Sequence, residues 1–261
     1  MIALLTDFGA CAYVGMVKGV IFRHHPEARV LDITHNVRPY AVREAAWLLF
    51  TAYRYFPEGT VFLAVVDPGV GSERQPLAVA TAHYYFVGPD NGLLYPAAEA
   101  DGIAAVVRII RPAGASRTFE ARDVFAPAAA MIDRGTPISA LGTPARPMHE
   151  LRFHRRDREG EVVYIDRFGN IITNLPPEPG SRSYKVTTAS FSATLPHYPT
   201  YAAAPPGAVF LVTGSAGTLE ISVRNASASE VLSPEPGERI CITPCRDKPG
   251  EISNGVTNGR S

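Results

Sequence analysis

The chain has 261 residues, 46% of them hydrophobic, which is enough for one large or two modest cores; typical domain sizes favour two. Lys and Arg total 25 and balance 25 Asp and Glu, a composition that argues against nucleic acid or an anionic membrane as partner and favours a small-molecule substrate. The three cysteines match neither a disulfide framework nor zinc-ligand spacing.

The sequence shows no signal for secretion or for a membrane. Residues 1–5 are apolar but run directly into Thr6 and Asp7, without a basic segment or a cleavage site. No apolar run approaches the roughly 20 residues that a spanning helix needs. We therefore expect a cytoplasmic protein that does not contact a membrane.

The first part of the chain alternates short β-rich runs with amphipathic stretches. Apolar runs predict strands at 1–5, 29–33 and 60–66 and a hairpin-like pair at 77–82 and 84–87, and periodicity predicts helices at 14–24, 42–55 and 126–134. This pattern predicts an α/β domain over residues 1–153, with a mostly parallel sheet covered on both faces.

The second part of the chain has a different pattern, because helical periodicity disappears after about residue 155. Short β runs at 160–165, 183–186, 209–212, 218–223 and 239–242 are separated by Gly, Pro, Ser and Asn. They predict a small all-β barrel or sandwich over residues 160–245, preceded by a charged linker at 154–159. Residues 246–261 lack apolar periodicity, and we expect a disordered tail there.

Acidic residues follow the first two predicted strands, where open α/β sheets collect their ligands. Asp7 follows the first strand and either caps a turn or accepts both hydroxyls of a ribose. Asp32 and His35 follow the second strand. Together with Asp7 they could indicate a metal-dependent hydrolase, an alternative supported only by their positions at strand ends.

The third strand ends in Asp67 and two glycines, with Arg74 seven residues after the acid. No Lys–Ser/Thr pair follows, so the segment is not a P-loop. The Asp–Arg pair is either a structural ion pair or a device that positions water, in which the carboxylate orients the water and the guanidinium stabilises hydroxide character. Residues 88–94 contain a Pro-Asp-Asn-Gly turn signal, which we interpret as architecture.

Six short motifs occur in a fixed order along the chain: TDFG, DITH, VVDPGVGS, GPDNGLL, RDVFAPAAA and IDRFGNIITN. In this order, and in register from residue 1 to about residue 245, the chain resembles the S-adenosylmethionine (SAM) hydroxide adenosyltransferase family. That family comprises the hydrolytic relatives of the fluorinating and chlorinating adenosyltransferases. Each motif alone is weak, but the ordered set is specific.

The resemblance implies both an architecture and a reaction. It implies an N-terminal α/β domain, a C-terminal β-barrel and a homotrimer whose active sites lie between one subunit's N-terminal domain and its neighbour's C-terminal domain. It also implies hydrolysis of SAM to adenosine and L-methionine, by attack of water or hydroxide at the ribose C5′ carbon. That chemistry needs no metal and no cofactor.

The resemblance further implies substrate-binding residues in both domains. In the N-terminal domain these are Asp7 at the ribose, Tyr40 near the methionine end, and Thr118 and Phe119 along the sugar and the reacting carbon. In the C-terminal domain they are Asp166 and Asn170 at the methionine amino acid, Phe168 and Tyr201 at the adenine ring, and the main chain of Ser215, Ala216 and Ala226 at the adenine edge.

The hydrolytic branch of the family is marked by an Asp-Arg-His set, of which Asp67 and Arg74 fill the first two places. The third place holds Glu120. Glu120 could accept a proton from water, could pair with Arg122 or Arg74 for structure, or could crowd Asp67 with negative charge.

Two other functions remain open at this stage. A chain that has lost turnover through Glu120 would be a SAM- or adenosine-binding protein. A halide-dependent adenosyltransferase is disfavoured, because the halogenating branch has a tyrosine where Asp67 stands, and a halide would meet a carboxylate there.

Overall fold

The computed structural model describes residues 1–145 and 148–245. The chain divides into two compact units, Met1–Phe153 and a second that begins at His154. The tail expected at 246–261 lies outside the described residues. Within the described ranges, no helix is both long and apolar enough to cross a membrane. The cytoplasmic location stays a prediction.

The first unit alternates strands with helices. Its described elements are β1 (Ile2–Thr6), α1 (Ala12–His24), β2 (Val30–Thr34), α2 (Val42–Ala52), β3 (Val61–Val65), β4 (Pro76–Thr81), β5 (Tyr85–Pro89), α3 (Tyr95–Asp101), β6 (Ile103–Ile109), α4 (Ala126–Asp133) and β7 (Gly142–Pro144). Short 3-10 turns follow α2 and precede β7, and a π-helical turn, Ala121–Phe125, leads into α4. The sequence pattern does not predict α3, β6 or β7.

The sheet of this unit is mixed, so the prediction of a mostly parallel sheet was wrong. Its strand order is β2-β1-β3-β5-β4-β6-β7. The strands from β2 to β5 pair in parallel, whereas β4, β6 and β7 pair antiparallel with their neighbours. Only residues 82–84 join β4 to β5, a connection too short for the crossover that a parallel pair requires.

The core of the first unit lies on both faces of the sheet. Ile2 and Leu4 of β1 pack on the side of α1 and α4, while Ala3 and Leu5 pack on the side of α2 and α3. Successive side chains of a strand point to opposite faces, so a strand buried on both sides must be apolar throughout. Every residue of β1 and β3 is buried accordingly. Because the parallel strands run in the same direction, their carboxyl ends share one edge of the sheet.

The second unit is a closed barrel, which is one of the two all-β architectures that the strand pattern predicts and the one that the family resemblance implies. Its described elements are β8 (Glu159–Ile165), β9 (Ile171–Thr173), β10 (Ser183–Thr187), β11 (Ser192–Tyr198), β12 (Val209–Thr213), β13 (Leu219–Val223), α5 (Ala228–Leu232) and β14 (Arg239–Pro244). The strand order around the barrel is β10-β11-β12-β13-β9-β8-β14. Strands β9 and β11 and helix α5 were not predicted from the sequence.

The packing of the sheet can be tested at Gly88 in β5. An added Cβ at Gly88 would overlap the backbone oxygen of Ala64. We expect G88A to lower the free energy of unfolding by about 1–3 kcal/mol, because the parallel strands would have to separate. Urea denaturation monitored by circular dichroism measures this change.

The matched control is Gly19, which lies inside α1 with no atom near the position of an added Cβ. Alanine favours a helix over glycine by up to about 1 kcal/mol, so G19A should leave stability unchanged or raise it. Equal effects of G88A and G19A would contradict the close strand contact.

Candidate active site

A cavity of about 580 Å³ lies in the first unit, and three of its contributing segments follow β1, β2 and β3. The predicted residues among those that line it are Asp7, Tyr40, Asp67, Thr118, Phe119 and Glu120. Phe8, Tyr13 and Ser116, which were not predicted as site residues, also line it, as does Arg122. The carboxyl edge of the parallel strands thus collects the predicted side chains, as expected for an open α/β sheet.

Asp7 is connected to Tyr40 at one side of this cavity. The backbone N–H of Tyr40 donates to Asp7 Oδ2 at 3.0 Å. Tyr40 has a φ of 68° and a side chain that is 73% exposed, and a bulky residue in this left-handed region carries strain of about 1–3 kcal/mol. A carboxylate has about four lone-pair sites, so Asp7 keeps acceptor capacity for the hydroxyls of a ligand.

Asp32 and His35, whose positions at a strand end could indicate metal ligands, form a network of their own. Asp32 pairs with Lys18 Nζ at 2.7 Å and with His35 Nε2 at 3.1 Å. Burial acts to raise the pKa of Asp32, but hydrogen bonds from Lys18 and His35 outweigh it and lower that pKa. In residues 1–145 and 148–245, no group of three or more His, Cys, Asp or Glu is arranged to hold a metal ion.

An aromatic wall faces the cavity beside Thr118. The ring centroid of Phe119 lies 6.0 Å from that of Phe8 and 5.1 Å from that of Tyr13, in edge-to-face arrangements. The Arg122 guanidinium carbon lies 5.0 Å from the centroid of Phe119. This wall presents an apolar face together with a cation–π contact, which holds the Phe119 ring in place.

The segment that carries Thr118 is anchored by Asp123. The Asp123 carboxylate accepts hydrogen bonds from Arg122 Nε at 2.6 Å and from the Ser116 backbone N–H at 2.9 Å. The hydrogen bond from Arg122 lowers the pKa of Asp123. Arg122 therefore pairs with its neighbour in the chain rather than with Glu120.

Four charged side chains form a network at the cavity wall, of which Asp67 and Glu120 line the cavity. Asp67 accepts hydrogen bonds from Nε of Arg74 at 3.0 Å and from its Nη2. Arg74 Nη1 lies 2.5 Å from Glu120 Oε2, as an ion pair without hydrogen-bond alignment, and Glu120 Oε1 accepts from Arg111 Nε at 2.6 Å. Asp67, Arg74 and Glu120 are 6%, 9% and 3% exposed.

This network bears directly on the three hypotheses for Glu120. Its carboxylate is engaged by Arg74 and Arg111, which is the pairing hypothesis with one partner that the sequence did not indicate. Two guanidinium groups balance two carboxylates, so the negative charge of Glu120 is compensated beside Asp67. Arg74 directs all three of its nitrogens to carboxylates and does not line the cavity.

Neighbouring segments hold the backbone that carries Asp67. Asn91 Nδ2 donates to the backbone oxygen of Val66 at 2.8 Å, and the Asp90 N–H donates to the Gln75 oxygen at 2.8 Å. Residues 88–94 thus hold both ends of the Asp67 loop, which agrees with their interpretation as architecture.

The second unit has a cavity of its own, of about 760 Å³. The predicted residues among those that line it are Asp166, Phe168, Asn170, Tyr201 and Ala226, and Arg224 and Asn225, which were not predicted, line it as well. Ser215 and Ala216 are not in its lining; they lie in the turn between β12 and β13.

Asp166 organises the loop between β8 and β9 at this second cavity. Its Oδ1 accepts the backbone N–H groups of Phe168 at 2.8 Å and Asn170 at 2.9 Å, and its Oδ2 accepts Asn170 Nδ2 at 2.9 Å. This turn leaves the Phe168 ring 69% exposed. An exposed aromatic ring beside a fixed carboxylate is suited to stack on a flat ligand while the polar groups orient it.

Glu220 on β13 is a buried acid that contacts the lining of this cavity through Tyr201, and no sequence pattern indicates it. Tyr201 donates its hydroxyl to Glu220 Oε2 at 2.6 Å, and Glu220 packs so closely on Gly214 that an added Cβ there would overlap the carboxylate. Burial raises the pKa of Glu220, and nearby Asp166 raises it further, although the hydrogen bond from Tyr201 opposes this. Burial and Glu220 likewise raise the pKa of Tyr201, which keeps its hydroxyl a donor.

The raised pKa of Glu220 predicts a pH-dependent cost in stability. A carboxyl whose folded-state pKa is raised destabilises the fold above that pKa, and the cost disappears as pH falls through it. E220Q removes the charge while its amide oxygen can still accept from Tyr201. We expect E220Q to be more stable than the wild type at about pH 8, by on the order of 1 kcal/mol, and to lose this advantage near pH 4.

Urea denaturation at both pH values measures this difference. E178Q is the control, because Glu178 is exposed and contacts Tyr184 only through its backbone. An E220Q advantage that is the same at both pH values, or absent at both, would contradict a destabilising buried charge.

The first unit is an α/β domain with a buried Asp–Arg pair at its strand ends, and the second is a barrel with another polar and aromatic cavity. Together these features define a two-domain ligand-binding enzyme. The family models for the SAM hydroxide adenosyltransferase N-terminal and C-terminal domains match residues 2–142 and 160–241. The chain belongs to the SAM hydroxide adenosyltransferase family, which confirms the resemblance seen in its motifs.

Individual relatives match over most of their length. An (R)-S-adenosyl-L-methionine hydrolase from Thermus thermophilus is 40% identical over 248 residues, covering 89% of this chain and 95% of that protein. One of the same name from Salinispora arenicola is 36% identical over 258 residues, covering 93% and 97%. The crystal structure of an uncharacterized conserved protein from Thermotoga maritima superposes with a TM-score of 0.87 at 37% identity, covering 93% and 100%.

Proposed function

We propose that this chain hydrolyses S-adenosyl-L-methionine to adenosine and L-methionine. The relatives named as hydrolases of the (R) form of this sulfonium support the substrate and the reaction. The observation that carries the proposal is the Asp67 carboxylate, which lines the first cavity and is held in a bidentate contact by Arg74.

The reaction is a single displacement at carbon. A water oxygen attacks the ribose C5′ carbon, and the C5′–S bond breaks with its electron pair moving to sulfur. The cationic sulfonium thereby becomes the neutral thioether of methionine, the water loses one proton, and adenosine is formed. The displacement uses no metal and no cofactor, so a chelator should leave the rate unchanged.

Asp67 is the catalytic residue in this proposal. Its carboxylate accepts a hydrogen bond from the attacking water, which orients a lone pair toward C5′ and raises the electron density on the oxygen. The carboxylate also offers negative charge near the cationic sulfonium before the bond breaks. Arg74 acts through Asp67, because its guanidinium fixes the two carboxylate oxygens and does not reach the cavity lining.

Glu120 acts in this proposal as a charge partner of Arg74 and not as the base. Both of its oxygens face guanidinium groups, so proton transfer to it would dismantle two ion pairs inside the fold. The proton of the attacking water therefore leaves by way of Asp67 and solvent.

The remaining predicted residues bind the substrate. Asp7 accepts the ribose hydroxyls, Thr118 and Phe119 line the sugar, and Tyr40 lies near the methionine end. In the second cavity Asp166 and Asn170 hold the methionine amino acid, while Phe168 and Tyr201 flank the adenine with the main chain of Ala226. The main chain of Ser215 and Ala216, in the turn between β12 and β13 outside that lining, meets the adenine edge. The placement of the lining residues in two cavities, each with an aromatic surface and a fixed carboxylate, supports this assignment.

Isotope labelling tests water as the nucleophile. In water enriched in ¹⁸O, purified protein and SAM should give adenosine with the label in its 5′-hydroxyl, because attack at C5′ joins the water oxygen to that carbon. Unlabelled methionine should form in equal amount, and mass spectrometry measures both products. The (R) sulfonium epimer should react and the (S) epimer should react slowly or not at all.

The variant that tests the role of Asp67 is D67N, which keeps the shape of the side chain but not its charge. We expect kcat to fall by about 100-fold or more, while calorimetry should still detect SAM binding. A wild-type chain that binds SAM tightly but forms no adenosine would instead be a binding protein. Formation of a halogenated nucleoside on addition of chloride would indicate the halide-dependent reaction.

We also propose that the protein is a homotrimer in which the N-terminal domain of one subunit and the C-terminal domain of its neighbour share each active site. The predicted substrate-binding residues support this, because they divide between two cavities that are each lined by a single unit. A substrate that binds both sets of residues must therefore contact two different domains.

Subunit mixing tests shared sites. D67N disables the first cavity and D166A the second, so each variant alone should be nearly inactive. After equal amounts of the two are unfolded together and refolded into trimers at random, about a quarter of all sites would combine an intact N-terminal domain with an intact neighbouring C-terminal domain. We expect about that fraction of wild-type activity, whereas no recovery in particles of trimer mass would contradict sites shared between subunits.

A further inference from the structure

Arg111 contacts the buried charge network from outside the substrate cavity. Its Nε donates to Glu120 Oε1 at 2.6 Å, and its Nη2 donates to the backbone oxygen of Arg74 at 3.0 Å. We propose that Arg111 is a positioning residue for hydrolysis, which fixes the Arg74 guanidinium against Asp67. This inference rests on the proposed function, because Asp67 is the group that it ultimately places.

The charge balance of the network explains why Arg111 is needed. Arg74 is shared by two buried carboxylates, those of Asp67 and Glu120. Without Arg111, Glu120 would retain only Arg74 as a cationic partner among the described residues. A buried carboxylate that loses one of two counter-ions interacts more strongly with the other, so Glu120 would draw the guanidinium away from Asp67.

The position of Arg111 separates this role from substrate binding. Arg111 lines a different cavity, of about 260 Å³, and does not line the cavity that contains Asp67. Glu120 borders both cavities and lies between them. A change at Arg111 should therefore alter how Asp67 is held, which acts on kcat, more than it alters the surface that binds SAM, which sets KM.

The local sequence explains how Arg111 reaches this position. It lies two residues beyond the end of β6, and Pro112 follows it. A residue before proline is restricted to extended backbone, which carries the chain away from the edge of the sheet. The planar guanidinium then offers two parallel donors, one used by the Glu120 carboxylate and one by the Arg74 backbone.

Kinetics in two backgrounds test the proposal. We expect R111M to lower kcat by about 10- to 100-fold, the scale of a catalytic group misplaced by about 1 Å, with KM changed less than about threefold. In the E120Q background, R111M should change kcat by less than about threefold, because the amide carries no charge to compete for Arg74. R108M is the matched control: Arg108 is an exposed arginine of β6 outside the network, and its loss should leave kcat unchanged.

The conservative variant R111K should have intermediate kcat, because lysine keeps the positive charge but cannot serve Glu120 and the Arg74 backbone with one planar group. If R111M does not fold, R111K in the wild-type and E120Q backgrounds provides the same comparison. Wild-type kcat in a folded R111M, or equal losses in both backgrounds, would overturn the role of Arg111 alone. A wild-type chain that forms no adenosine would overturn the proposed function and this inference together.

Discussion

The ion pair between Asp67 and Arg74 depends on two further charges, those of Glu120 and Arg111. A guanidinium that is removed from water loses its hydration. This cost is offset only when the N–H groups on each edge of the guanidinium meet an acceptor. Asp67 and Glu120 supply these acceptors on two sides, and Arg111 in turn neutralises Glu120. The four groups form an alternating chain of charge in which the removal of one member leaves its neighbours unbalanced.

This network links two segments that are distant in the sequence. The loop after β3 carries Asp67 and Arg74, and the chain between β6 and α4 carries Arg111 and Glu120. Glu120 directly precedes the π-helical turn Ala121–Phe125, a rare geometry that occurs often at functional sites. The mixed sheet brings both segments together. Its parallel strands end at the cavity, and β6 runs in the same direction, because β6 is antiparallel to β4 and β4 is antiparallel to β5.

In the barrel, as in the first unit, carboxylates hold neighbouring groups in place. Two aromatic rings line its cavity, and polar contacts fix how they are placed. Tyr201 is held through its hydroxyl by Glu220, and Phe168 is held through the turn that Asp166 forms. In both units a buried or partly buried carboxylate is placed by its partners before any ligand arrives, which lowers the cost of ordering the site on binding.

The sequence by itself determined the strands that are buried on both faces, an all-β second unit that is either a barrel or a sandwich, and the order of motifs that identifies the family. Continuous apolar runs such as β1 and β3 report their burial directly, and Asp7, Asp67 and Asp166 stand at predictable ends of such runs. Only the tertiary structure decided the mixed sheet, the closure of the barrel, the partners of Glu120, and the burial of Glu220 in β13. Periodicity reports which face of an element is buried, whereas the pairing of Arg74 with Glu120 depends on which distant segments the fold brings together.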